Sequence, residues 1–248
     1  MELFRHLFVL AIFVGAGVIG SASQSIAQED SSRKGQNTPA VAKALPADID
    51  PESLTRLPLV KREDLDEYGK KVYDMVTSSD PRYKDGVPGP PGMWMYDPVV
   101  AEHLFPIRNY IRTKIPLGQR FVELAILVTS RELDSQFEWT AHESIGRAAG
   151  LTEEVIEVVK YRQDPSKLGD KEALIIRFGR ELIGERKVRS DTFAQALKVF
   201  GKQGVMDLTA TMGLYQFINT TTVAFDGHRP PGQPGPSLPR LPGRGETH

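Results

Sequence analysis

A chain of 248 residues with a formal net charge of −1 and no cysteine excludes several kinds of function at the outset. The near-neutral charge gives no electrostatic footprint for nucleic acid or an anionic membrane. The lack of thiols removes both disulfide staples and cysteine chemistry, so stability must come from an apolar core, helped by self-assembly.

Residues 1–27 read as an export signal. Arg5 and His6 make a weakly basic start, an apolar run covers 7–19, and Ser25-Ile26-Ala27 supplies the small residues that signal peptidase needs. The run is too short to span a bilayer comfortably. Cleavage after Ala27, a periplasmic or secreted location and no membrane association afterwards are therefore expected. Residues 28–55 are polar without an apolar period and read as a disordered spacer. Residues 227–248, rich in Pro and Gly, read as a solvated tail with a Pro-rich ligand as the alternative. Between them, residues 56–226 form one domain large enough for a real core.

The domain reads as successive helices. Residues 61–76 carry Leu65, Tyr68, Val72, Met75 and Val76 at helical spacing. A Gly/Pro-rich loop over 85–92 leads to Met93-Trp94-Met95-Tyr96. Residues 98–112 are amphipathic, with Pro98 in the first turn and a kink expected at Pro106. Residues 120–133 are apolar nearly all round, the mark of a central buried helix. A helix over 135–149 ends at Gly150, and Thr152 caps another over 153–161. Helices over 170–184, 191–200 and 204–220 complete the domain. No alternating strand pattern or repeat occurs, so the fold class is all-α, built around a buried helical hairpin.

Chemistry concentrates in that hairpin. Glu123 lies inside the run Phe121-Val122-Glu123-Leu124-Ala125-Ile126, where a charge is costly unless paired. Glu138 and His142 are four residues apart and share a face of the next helix. A carboxylate beside an imidazole orients one ring nitrogen and leaves the other free to move protons, the minimal equipment for acid–base catalysis. Each residue also has a structural reading. Arg120 or Arg131 could neutralise Glu123. Ser135-Gln136-Phe137-Glu138 fits a capping box in which Glu138 returns to the Ser135 N–H. His142 could be a core histidine satisfied by Glu138 or a carbonyl. Trp94, Ser135 and Trp139 are candidate substrate contacts, with core or interface as the alternative for Trp139. Two Glu and one His could hold zinc or non-haem iron. However, only one E-x-x-x-H arm exists rather than the paired E-x-x-H of di-iron bundles, and His103 and His228 lack partners at ligand spacing. No metal and no cofactor are expected.

The run P-L-G-Q-R-F-V-E-L-A-I-L-V-T-S-R-E-L-D-S-Q-F-E-W-T-A-H-E-S-I-G-R-A-A-G-L-T resembles the carboxymuconolactone decarboxylase family, which includes the AhpD-like alkylhydroperoxidases. The likeness extends over residues 89–225. The resemblance implies a helical domain and a homo-oligomer, dimer to hexamer, with the site near subunit contacts; the apolar surface of the last helix, 205–217, is a candidate interface, with the interior as an equal alternative. The peroxidase branch has a C-x-x-C pair whose positions fall on Ser135 and Glu138, with its His on His142 and its Glu on Glu123. Peroxide reduction by a Cys pair therefore cannot operate here. The decarboxylase branch lacks the pair and works without a cofactor, losing CO2 from a lactone acid and reprotonating the product. By that likeness His142, held by Glu138 or Glu123, is the proton donor. The expectation is a cofactor-independent decarboxylase or lyase acting on a small carboxylated or lactone compound. The alternatives are a non-catalytic exported binding protein and a metal-dependent oxygen or peroxide enzyme.

Overall fold

A computed structural model of the chain describes residues 45–230 and 238–241. The expected signal peptide, most of the spacer and parts of the tail lie outside the described residues. Eight helices occur among the described residues: α1 Glu67–Ser79, α2 Pro90–Trp94, α3 Pro98–Thr113, α4 Gln119–Glu132, α5 Gln136–Ala148, α6 Glu153–Lys160, α7 Asp170–Gly179 and α8 Ser190–Ala224. The fold is all-α, with no strand among the described residues. None of these helices is long and apolar enough to cross a membrane.

Helix α4 organises the rest. Every residue from 122 to 132 is buried, as an all-round apolar helix requires. Leu124, Leu127 and Val128 join a core with α6, α7 and Ala196, Val205, Leu208 and Met212 of α8. Val122 and Ile126 face a second core made with α1–α3 and the second half of α8. Its hydroxyls do not go unsatisfied, because Thr129 Oγ1 donates to the Ala125 carbonyl at 2.8 Å and Ser130 Oγ to Ile126 at 2.9 Å. After α4 the chain turns at Asp134, whose φ is 53°, and returns as α5, forming the hairpin expected from the sequence.

Three local features shape the surroundings of that hairpin. The Gly/Pro-rich stretch read as a loop contains the short helix α2, with Pro90 in its first turn and Gly89 at φ 69° before it. Gly92 is required there, since a Cβ would lie 1.8 Å from the Val87 carbonyl oxygen. Pro106 sits inside α3 without ending it. Helix α8 breaks at Gly201, at φ 68° and ψ 178°, into the two segments 190–200 and 202–224. Only glycine adopts that conformation readily.

The described ends of the domain are engaged. Ile49, Ser53 and Thr55 are buried within the stretch expected to be spacer. The Arg56 N–H donates to the Phe225 carbonyl at 2.9 Å and the His228 N–H to Leu54 at 2.8 Å. In the stretch expected to be a solvated tail, Leu238 is buried in the core, and its N–H donates to Gln136 Oε1 at 2.8 Å. Along the candidate interface on α8, Val205, Leu208, Met212 and Leu214 face the interior, while Met206 and Phe217 are exposed.

Candidate active site

Three helices bring the site together. Glu123 projects from the first half of α4, Glu138 and His142 from one face of α5, and Arg112 from the end of α3. Glu123 is 0% exposed and His142 7%. Glu123 Oε1 accepts from Arg112 Nη1 at 2.9 Å, and Oε2 lies 2.7 Å from His142 Nδ1. An ionised carboxylate only accepts, so Nδ1 is assigned the proton and donates to it. Arg112 Nη1 also donates to the Tyr215 hydroxyl at 3.2 Å. The Tyr215 ring stands edge-on to the His142 imidazole, centroids 5.1 Å apart. Glu123 is thus neutralised by Arg112, not by Arg120 or Arg131 as the sequence suggested. Arg120 pairs with Glu172 at 2.6 Å. Arg131 pairs with Asp134 and donates to the Lys160 and Pro239 carbonyls.

With Nδ1 engaged, His142 turns Nε2 toward Glu138 Oε2, 3.5 Å away. That is longer than a firm hydrogen bond, so Nε2 and Glu138 are only weakly engaged with one another. Burial pushes the Glu138 carboxyl above the ordinary carboxylate range, while His142 and the Arg108 and Arg112 guanidinia oppose this. The buried Tyr215 hydroxyl is pushed up to about 12, chiefly by burial. Burial alone would lower Arg112, but Tyr215 and Glu123 hold it above its ordinary value.

Glu138, His142, Arg112 and Tyr215 open onto a cavity of about 180 Å³ whose walls include Arg82, Arg108, Pro90 and Pro91. Arg82 is paired with Asp80. Arg108 lies over the Phe105 ring, 5.6 Å from its centroid, and forms no ion pair among the described residues. The cavity therefore brings the Glu138–His142 pair together with an arginine that has no ion-pair partner among the described residues. Among the described residues no group of three or more His, Asp and Glu is arranged to hold a metal. Arg112 already supplies the cation at Glu123 Oε1.

The other sequence candidates lie elsewhere. Ser135 caps α5, accepting from the Glu138 N–H at 3.4 Å. The capping box is half-formed, because the Ser135 N–H donates to the Ser130 carbonyl at 2.8 Å and Glu138 turns to His142 instead. Trp139 is core, its Nε1 donating to Glu143 Oε2 at 2.7 Å. Trp94 is buried against Phe217, ring centroids 6.1 Å apart, outside the cavity walls. Sequence reasoning missed Arg108, Arg112 and Tyr215. The two arginines stand four apart on an expected helix, a spacing that could have marked them. Tyr215 gave no such signal.

No family model matches the sequence, and no curated protein matches it. Two solved structures are similar in fold. A protein of unknown function from Agrobacterium tumefaciens, described as a candidate antioxidant defence protein AhpD, aligns with a TM-score of 0.50 at 19% identity, over 55% of this chain and 94% of its own. The fold is AhpD-like. The debrominase Bmp8, a cysteine-to-alanine variant in complex with 2,3,4-tribromopyrrole, aligns with a TM-score of 0.52 at 10% identity, over 71% of this chain and 90% of its own. At these identities the AhpD-like likeness extends to the arrangement of helices alone.

Proposed function

We propose that this AhpD-like protein is a cofactor-independent acid–base enzyme, a decarboxylase or lyase acting on a small carboxylated or lactone compound. One observation carries the reading: the Arg112–Glu123 pair anchors His142 through Nδ1, leaving Nε2 and Glu138 on the wall of a cavity that arginines also line. In a decarboxylation the bond to the departing carboxylate breaks, and its electron pair moves into a conjugated carbonyl as an enolate. Arg108 and Arg112 offset that charge. The Glu138–His142 pair returns one proton to carbon, so substrate anion plus a proton gives product plus CO2. Glu138, favoured in its neutral form by burial, is the group poised to deliver it. The sequence supports no thiol route, since the chain has no cysteine.

The test is CO2 release from a panel of lactone acids and β-keto acids by the purified protein. His142→Gln and Glu138→Gln should each slow turnover by about 100-fold or more. Turnover that neither change affects would sink the proposal. Saturable ligand binding without turnover, with affinity unchanged in His142→Gln, would favour the binding-protein reading. Export and self-assembly are part of the same proposal. The exposed Met206 and Phe217 give the second half of α8 an apolar strip that a second copy can cover. Light scattering on the mature chain measures this.

A further inference from the structure

A second cavity of about 250 Å³ lies away from the proposed active site, at the break in α8. Its walls include Pro116, Leu117 and Phe121 before and within the first turn of α4, Phe200 and Gly204 on either side of Gly201, and Lys171, Gln203 and Asp207. The glycine-only conformation at 201 turns the chain so that Phe200 and Asp207 face the same space. Asp207 is 7% exposed, and its Oδ2 has no hydrogen-bond partner among the described residues. A buried carboxylate oxygen without a donor is costly and rare in folded proteins. Lys171 stays at the rim, its ammonium 5.8 Å from the centroid of the Phe121 ring and unpaired with Asp207.

We propose that this cavity binds a small zwitterion whose ammonium group meets Asp207, whose carboxylate meets Lys171, and whose short alkyl body lies on Phe121 and Phe200. The ammonium supplies a counter-charge to the Asp207 carboxylate, which forms no ion pair among the described residues. The opposite charge at the rim favours a ligand with an anionic end over a simple amine. The volume limits the body to a few carbons. The site is independent of the acid–base reading, because none of its residues lines the Glu138–His142 cavity.

Titration calorimetry of the full chain with 4-aminobutanoate, n-butylammonium and butanoate tests the assignment. Saturable binding should be strongest for 4-aminobutanoate, weaker for n-butylammonium and absent for butanoate. Asp207→Asn should weaken the first two by about tenfold or more, and Lys171→Gln should remove only the advantage of the zwitterion. Amide chemical shifts in the wild-type chain give a reading that needs no variant. The shifts caused by 4-aminobutanoate should centre on Lys171, Gly204 and Asp207. No saturable binding, equal binding by Asp207→Asn, or shifts centred on His142 would each overturn the proposal.

Discussion

Helix α5 carries two residue pairs at the same spacing, one position apart, and they come to opposite ends. Trp139 and Glu143 lie roughly 100° around the helix from Glu138 and His142. On the first face Glu143 Oε2 accepts from Trp139 Nε1 at 2.7 Å and Oε1 from Arg147 Nη2 at 2.6 Å, with Lys160 Nζ 3.7 Å away. Lys160 also stands over the Trp139 ring, 6.0 Å from its centroid. Both carboxylate oxygens are engaged, and the face is closed by packing. On the second face one ring nitrogen is held firmly, while the other and Glu138 meet only at 3.5 Å beside open space. Spacing therefore decides which side chains meet. Whether they do chemistry depends on a polar atom left incompletely used where a substrate can reach it.

Breaking the closed pair should cost the most stability. Glu143→Ala leaves the Trp139 donor and the Lys160 ammonium without their acceptor, while Arg147 keeps Glu153, so a loss of about 1–3 kcal/mol is expected in denaturant unfolding. Any loss of turnover should then track the unfolded fraction. His142→Gln on the open face should behave in the reverse manner, since the glutamine amide can still donate to Glu123. Its unfolding free energy should stay within about 1.5 kcal/mol of wild type while turnover falls. A larger stability loss would place His142 in the same structural class as Glu143. Ser135→Ala removes the cap of α5 and should cost about 1 kcal/mol in the same measurement. Because the capping box is half-formed, Glu138→Ala should not add the loss of a second cap bond.

The smallest expected effect is a pH dependence. Glu138 ionises at higher pH folded than unfolded, so the unfolded chain gives up this proton first. Stability falls with rising pH wherever the native state binds more protons. This contribution is therefore full below the ordinary value of 4.5 and declines as pH rises from there toward the raised folded value. Glu138→Gln has no such group, so its stability relative to wild type should increase across that range. A constant difference would mean that Glu138 is ionised without cost and is poorly suited to deliver a proton.

The sequence made the helices legible where one helix could bury its own face. The all-round apolar run of α4, the Ser135 and Thr152 caps and the stop at Gly150 are local signals, and the structure follows them within a residue or two. The break in α8 was also visible, as a gap between two expected helices around Gly201. Helix α2 was not, because Pro and Gly dominate it and its Gly92 is fixed by the close approach of the Val87 carbonyl, a tertiary contact. The four-residue spacing of Glu138 and His142 is likewise enough to put both on one face of α5.

What surrounds that face came only from the tertiary fold. Arg112 lies 30 residues from His142 and 103 from Tyr215. No local pattern says that α3, α5 and α8 converge there, or that the cation beside Glu123 comes from α3 rather than from α4 itself. The same holds for Trp139, whose burial against Lys160 depends on α6. Periodicity determined which residues face inward together. Long-range packing decided which inward faces are filled and which keep a cavity, because a cavity is a property of the distance between helices and not of any one of them.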